Sequence, residues 1–327
     1  MTAQHPTFDD VLAAEARLEH LVVRTPATVH PGLDRLVGAA TRIVVKHENL
    51  QHTGAFKVRG ALNLMLQEPA GAVVGYSTGN HAQALAHAAR HVGAHCTIVM
   101  PRDPNELKER AVRALDARVV LHGADLTQAA AHAAEIARDQ GARLVSAADE
   151  PALVAGAATA TLELLRDAPD VEVLVVPVGG GSGAAAASLV VQALAPHVEL
   201  IGVQTSGARA AHDSWRSGDL LARPVTTRVE GLAVGRGFRL TQGILRHGLD
   251  DFLLVDDDAV VRAQHAYLTA AGTLAEGAGA AALAAVLEHP TRFAGRRVAV
   301  MCSGGNASDV EHRRALTCGG LVAPGIV

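Results

Sequence analysis

The sequence predicts an α/β protein built as two doubly wound domains with mostly parallel sheets. Short β-branched apolar runs alternate with long alanine-rich helical segments along the chain. Several of those runs are apolar on both faces, which only a sheet covered on both sides can bury, and helical crossovers supply that cover. The segment 72–146 reads as a compact four-strand unit set between two halves of a larger body. Residues 1–60 and 147–327 are therefore assigned to a large domain and 61–146 to a small α/β domain.

The elements follow in order. Strands are expected at 42–47 (RIVVKH), 72–77 (AVVGYS), 96–100, 118–122, 143–147, 172–178, 199–204, 252–256 and 297–302, each a short β-branched run. Helices are expected at 80–92, 105–115, 125–140, 150–166, 183–194, 258–271 and 277–289. Gly93 and Gly141 stand just past two of these, where a left-handed residue closes a helix. Alanine is dense at 129–137, 184–187 and 280–285, which gives helix propensity and close packing. No repeat of domain scale is present.

The bulk numbers exclude several classes. The chain has 327 residues, 49% of them apolar, enough for a sizeable core. A net charge of -4 gives no basic face for a nucleic acid or an anionic membrane. The start, MTAQHPTFDD, has neither the basic nor the apolar region of a secretory signal. Long apolar runs such as VLVVPV at 173–178 fall far short of a membrane span. Three cysteines, Cys96, Cys302 and Cys318, show no CxxC spacing and fit reduced thiols in the cytoplasm.

Only three lysines, Lys46, Lys57 and Lys108, occur among 29 cationic residues. Arginine serves where a surface needs a cation, but its guanidinium stays protonated and cannot form an imine. Each lysine is thus a candidate for amine chemistry, against the ordinary reading of a surface charge.

Four stretches carry chemistry. In His47-Glu48-Asn49-Leu50-Gln51-His52-Thr53-Gly54-Ala55-Phe56-Lys57-Val58-Arg59-Gly60 a strand ends, a turn follows, and Lys57 stands where a helix begins. Phe56 beside it can shield a flat ring, and partial desolvation lowers an amine pKa. Ser77-Thr78-Gly79-Asn80-His81 opens a helix after a strand, which suits a carboxylate and equally an ordinary N-cap. Gly179-Gly180-Gly181-Ser182-Gly183 lets backbone N–H groups approach a phosphate. It lacks the lysine of a P-loop, and strand 199–204 ends in Gln204 without the acid of a dinucleotide site, so a single-phosphate cradle fits. Cys302-Ser303-Gly304-Gly305-Asn306 again lies past a strand end and offers a neutral hydroxyl. A fifth stretch, Glu276-Gly277-Ala278-Gly279, is a helix-opening turn and uninformative alone. Together these parts fit a phosphorylated aromatic aldehyde and an amino acid.

TGAFKVRGA and STGNHAQALA, with the glycine loop and Ser303-Gly304-Gly305-Asn306, resemble the serine/threonine dehydratase family of pyridoxal-phosphate enzymes of fold type II, related to serine racemase and the tryptophan synthase β subunit. The resemblance spans the chain from Arg24-Thr25-Pro26 to Asn306. It implies pyridoxal 5'-phosphate held as a Schiff base on Lys57, which then removes the α-proton. It implies Phe56 against the ring, Asn80 on the ring's 3-oxygen, Gly179, Gly180, Gly181, Ser182 and Gly183 on the phosphate, and Ser303 facing the pyridine nitrogen. Ser77, Thr78, Gly79 and His81 would hold the substrate carboxylate. The implied reaction is loss of water from a β-hydroxy amino acid of the L-threonine or L-serine type, giving a 2-oxo acid and ammonia. A neutral Ser303 hydroxyl, in place of a carboxylate, favours prompt loss of a β leaving group. The resemblance also implies a homodimer.

Departures from the family pattern keep substrate identity open. Ser182 stands where a fourth glycine is common, and Gly156-Ala157-Ala158-Thr159 replaces the usual Gly-Gln-Gly-Thr. Gln204 and Ala210 occupy the places of the acidic ligands in the divalent-metal site of serine racemase, so no metal is expected there. Thr78 has a hydroxyl where racemases of the group carry Ser and common threonine dehydratases Ala, and its χ1 is restricted. A serine or aspartate racemase, a 3-hydroxyaspartate dehydratase and a β-replacement synthase are the alternatives on this fold; a non-catalytic ligand-binding protein is the alternative of another class. The chain ends soon after Ser303, so control by isoleucine through a regulatory domain is not expected.

Overall fold

The computed structural model describes residues 5–38 and 40–318. Its strands are β1 (Ala27–Val29), β2 (Arg42–His47), β3 (Ala72–Tyr76), β4 (His95–Met100), β5 (Arg118–Leu121), β6 (Arg143–Val145), β7 (Val173–Pro177), β8 (Glu199–Thr205), β9 (Asp251–Val255) and β10 (Arg297–Cys302). They form two sheets. The larger runs β1-β2-β10-β7-β8-β9 and the smaller β5-β4-β3-β6. Every pairing is parallel except that of β1 with β2. The fold is thus α/β with mostly parallel sheets, as the doubly apolar runs require.

Successive residues of one strand feed opposite cores because side chains alternate across a sheet. Leu174 and Val176 of β7 join Leu162, Leu200 and Leu245 on one face of the large sheet. Val173 and Val175 join Ile43, Val45, Ile201, Tyr267 and Leu283 on the other. The small sheet divides likewise: Val73, Ile98 and Met100 pack with Leu85 and Leu62, and Val74 and Val99 pack with Ala129 and Ala133.

Parallel strands bring their C-terminal ends to one edge. β2, β10 and β7 pair in register, Met301 opposite Lys46 and Val300 opposite Val175. The turns after β2, β10 and β7 therefore emerge side by side.

Several elements lie outside the expected ones: β1, and the helices Phe8–Leu18, Pro31–Val37, Ala210–Ser217, Arg239–Gly248 and Asp309–Thr317. Helix Phe8–Leu18 buries Val11, Ala14 and Leu18, a three- and four-residue spacing that faces one side of the helix to the core. Its start is also written locally, in a capping box between Thr7 and Asp10. The strand expected at 143–147 stops at Val145 because the Ser146 hydroxyl accepts from the N–H groups of Ala148 and Asp149 and turns the chain.

Candidate active site

Lys57 opens helix Lys57–Gln67, with Phe56 as its N-cap. Its position is fixed from two sides. The preceding segment is stitched to the turn after β10: Phe56 N donates to Ser303 O at 3.1 Å, Ala55 bridges Gly304, and Gly305 N donates to Gly54 O at 2.9 Å. Two residues past Lys57, Arg59 is fully buried in an ion network. Its guanidinium donates to both oxygens of Glu48, at 2.8 Å each, and to Glu163 at 2.8 and 2.9 Å. Lys46 joins the network at 2.6 Å from Glu163, and Thr159 at 3.2 Å from Arg59. Two carboxylates thus balance two cations beneath the turn that presents Lys57.

The Lys57 amine lies 5.1 Å from the centre of the Phe56 ring. It donates to Ser182 Oγ at 2.7 Å and to the Ala147 carbonyl at 3.2 Å. Both acceptors are neutral, so nothing offsets burial, which lowers the amine to about 8.

The glycine loop follows β7. Gly181 has φ +94, a left-handed value, and Ser182 is the first residue of helix Ser182–Leu194. At Gly183 a Cβ would lie 3.2 Å from the Phe56 ring, so the loop passes directly beside Lys57. Thr241 Oγ1 donates to Gly180 O at 2.7 Å and braces the loop from behind. The first N–H groups of a helix have no partner within it, so this helix start is of the kind that can receive an anion.

Asn80 begins helix Asn80–Val92 on the small sheet. Its Nδ2 donates to Glu276, and its Oδ1 accepts from Asn306 Nδ2 at 2.9 Å. A Cβ at Gly304 would sit 3.1 Å from Asn80 Nδ2, so Asn80 faces the Ser303 turn. Ser303 itself is 6% exposed. His81 is buried, and among the described residues neither ring nitrogen has a hydrogen-bond partner. Burial, then the nearby Lys57 charge, lowers it to about 3, so its ring is neutral. Ser77 Oγ accepts from Gly79 N at 3.1 Å and shapes the turn. Thr78 makes no side-chain hydrogen bond among the described residues. Lys57, Phe56, Asn80, His81, Ser303 and the glycine loop are thus brought together.

Sequence reasoning gave no site role to Ala147, nor to Glu276 and Asn306, whose stretches it singled out, and it named Lys108 only as one of three candidate amines. Glu276 is 2% exposed and its carboxyl is raised by burial, against the pull of Lys108. Lys108, also buried, pairs with Glu230 at 2.6 Å, and a Cβ at Gly79 would lie 3.7 Å from its Nζ. The only local signal for Glu276 was a carboxylate before a glycine-rich helix start, which an N-cap also explains. Gln204 is buried with Oε1 accepting from His212 N at 3.1 Å, and Ala210 is buried as well.

A partly enclosed amine of lowered pKa, a glycine cradle for one anion, orphaned buried nitrogens on His81 and an aromatic wall fit pyridoxal phosphate, and fold and site define a cofactor-dependent α/β enzyme. A family model described as pyridoxal-phosphate dependent enzyme matches residues 18–304. The chain belongs to that family. It is 40% identical to the L-threonine ammonia-lyase of Geobacter sulfurreducens over 86% of this chain and 71% of that protein. It is 30% identical to the L-threo-3-hydroxyaspartate ammonia-lyase of Saccharomyces cerevisiae over 96% of this chain and 97% of that one. The solved structure of a T.th. threonine deaminase superposes with a TM-score of 0.88 at 35% identity, covering 93% of this chain and 99% of that chain.

Proposed function

We propose that this protein is an ammonia-lyase that removes water from L-threonine or L-serine and releases a 2-oxo acid and ammonia. The observation that carries the reading is Lys57, an amine lowered to about 8 between Phe56, Ser182 and the glycine loop. Bound there, the cofactor would withdraw electron density at Cα of an attached amino acid, easing loss of the Cα proton so that the pair left on carbon can expel the β-hydroxyl as hydroxide.

The chain's own residues do the rest. Lys57 takes the Cα proton, which a base of pKa near 8 can accept and return at neutral pH. The N–H groups of Gly179, Gly180, Gly181, Ser182 and Gly183 hold the phosphate at the positive helix end. Asn80 spends one Nδ2 hydrogen on Glu276 and its Oδ1 on Asn306, so its remaining hydrogen is a donor that suits an acceptor such as the ring's 3-oxygen. Ser303 meets the pyridine nitrogen with a neutral hydroxyl. Ser77, Thr78, Gly79 and His81 take the substrate carboxylate, with His81 as a neutral N–H donor. Phe56 walls one side of the ring.

A second reading, 3-hydroxyaspartate as substrate, is supported by the buried Lys108 ammonium beside Gly79, which a second carboxylate would reach by sharing it with Glu230. The Saccharomyces relative bears a matching name. Turnover of a panel of β-hydroxy amino acids, followed as 2-oxo acid and ammonia, separates the two. The Lys57→Ala variant tests both, since it should lose the visible cofactor band and nearly all turnover.

We further read the two sheets as the centres of two domains, with the boundary passing along helix Lys57–Gln67, whose Val58 and Leu62 pack against the small sheet. Residues 1–60 and 147–327 then form the large domain. We place the protein in the cytoplasm as a homodimer. Free Cys96, Cys302 and Cys318 support the reducing compartment. Among the described residues no helix is long and apolar enough to cross a membrane. Leu50 and Leu274, both more than half exposed and joined through Asn49, support a covered apolar face. Light scattering on the purified chain checks the dimer.

A further inference from the structure

The hydroxyl of Ser182 has a place in the proton transfer beyond holding an anion. A neutral primary amine has two N–H bonds and one lone pair. At Lys57 two acceptors are present: Ser182 Oγ at 2.7 Å and the Ala147 carbonyl at 3.2 Å. Ser182 is 2% exposed, and the Lys57 amine is its side chain's hydrogen-bond partner among the described residues. It makes no helix cap that would otherwise occupy the hydroxyl. Ala147 follows β6 on the small sheet and Ser182 follows β7 on the large one, so the two acceptors approach the amine from different bodies.

Resting on the function proposed above, we infer that Ser182 is a positioning residue for Lys57. Together with the Ala147 carbonyl it occupies both N–H bonds of the neutral amine and leaves the lone pair as the one free valence. The Cα–H bond of the substrate then breaks toward that lone pair. Its electron pair stays with the substrate carbon and expels the Cβ hydroxide. The proton becomes the third N–H of an ammonium, which Ser182 goes on stabilising as an acceptor. Proton and hydroxide together equal the one water lost. A glycine at this position has no acceptor to offer, so this orientation is a property of the present chain.

Ser182→Ala and Ser182→Gly test the inference in the holoenzyme, with L-threonine and its α-deuterated form at saturating cofactor. Both variants should lower kcat about 10- to 100-fold, the loss expected when a base is misaimed by a fraction of a bond length. The α-deuterium effect on kcat should stay at least as large as that of the parent, because the slowed step is the C–H cleavage. The dissociation constant of the cofactor, from fluorescence titration, should change less than about threefold. A second readout needs no turnover: with lysine labelled at ¹⁵Nζ, three signals are resolved in the full chain before cofactor is added. The Lys57 midpoint should fall in Ser182→Ala, since the lost hydroxyl stabilised the ammonium. The inference is overturned by a kcat within about twofold of the parent, by a loss that vanishes on saturating the cofactor, by an isotope effect that collapses, or by an unmoved Lys57 midpoint. Retention of the visible band in Lys57→Ala would instead overturn the function on which it rests.

Discussion

Lys57 and Arg59 are buried cations two residues apart in opposite surroundings. Arg59 is fully enclosed, and although burial works against its charge, Glu48 and then Glu163 more than restore it and hold its pKa above the usual arginine range. Lys57 meets two neutral oxygens, and burial lowers it unopposed. The other two lysines are paired as Arg59 is, Lys46 with Glu163 and Lys108 with Glu230, both at 2.6 Å; the carboxylates raise Lys108, whereas at Lys46 burial outweighs them and lowers it. A cation paired with carboxylates fixes geometry. One left with neutral acceptors can give up its proton. On the proposed function, the difference separates the scaffold cations from the amine that reacts.

Removing each cation should show this contrast. Lys57→Ala should cut turnover by about 10³-fold or more while the fold survives, the loss typical of a group that acts on the reacting bonds; circular dichroism and an oxo-acid assay read both together. Arg59→Met should do the reverse in kind. It leaves the buried Glu48 carboxylate without its ion-pair partner and Glu163 with Lys46 alone, and should cost about 3–5 kcal/mol of stability, measured by urea unfolding. An equal loss of stability in Lys57→Ala would erase the distinction.

Smaller effects sharpen it. His81→Asn should raise KM for the amino acid by about tenfold with little change in Tm. The neutral ring of His81 should add no limb to the KM profile between pH 5 and 8, because it protonates only near 3. In the cofactor-free chain Lys57 titrates at about 8 when folded and near its ordinary 10.5 when unfolded. Between those values the unfolded chain holds the extra proton, so stability should climb with pH across that window and stay flat below it. Lys57→Met should flatten the climb, read from denaturation midpoints at successive pH values. Smallest of all, dialysis against a chelator should leave kcat unchanged, since Gln204 and Ala210 offer no carboxylates; recovery of activity on adding magnesium or manganese would refute this.

Much of the fold was legible because it rests on local patterning. β2, β10 and helix Asn80–Val92 fall at the residues their patterns mark, and the parallel strands of the large sheet are apolar runs at or within a residue or two of their expected places. The elements that escaped are those with weak local patterns, such as β1 with three residues and helix Ala210–Ser217 with eight. Within the site, Lys57 and the two glycine-bearing turns stood out because amines and glycines at strand-to-helix junctions have few other uses. Glu276 and Asn306 did not, since a carboxylate at a helix start and an amide in a turn are ordinary cap residues. Their meaning arises only where they meet Asn80, 196 and 226 residues away in the chain.

By itself the sequence determined the period of each strand and helix, the scarcity of amines and the turns able to approach an anion, because these depend on neighbours a few residues apart. Tertiary structure alone decided which of three lysines lacks a carboxylate. Pairing depends on Glu163 and Glu230 reaching across the fold to Lys46 and Lys108, and burial multiplies whatever charge balance they leave.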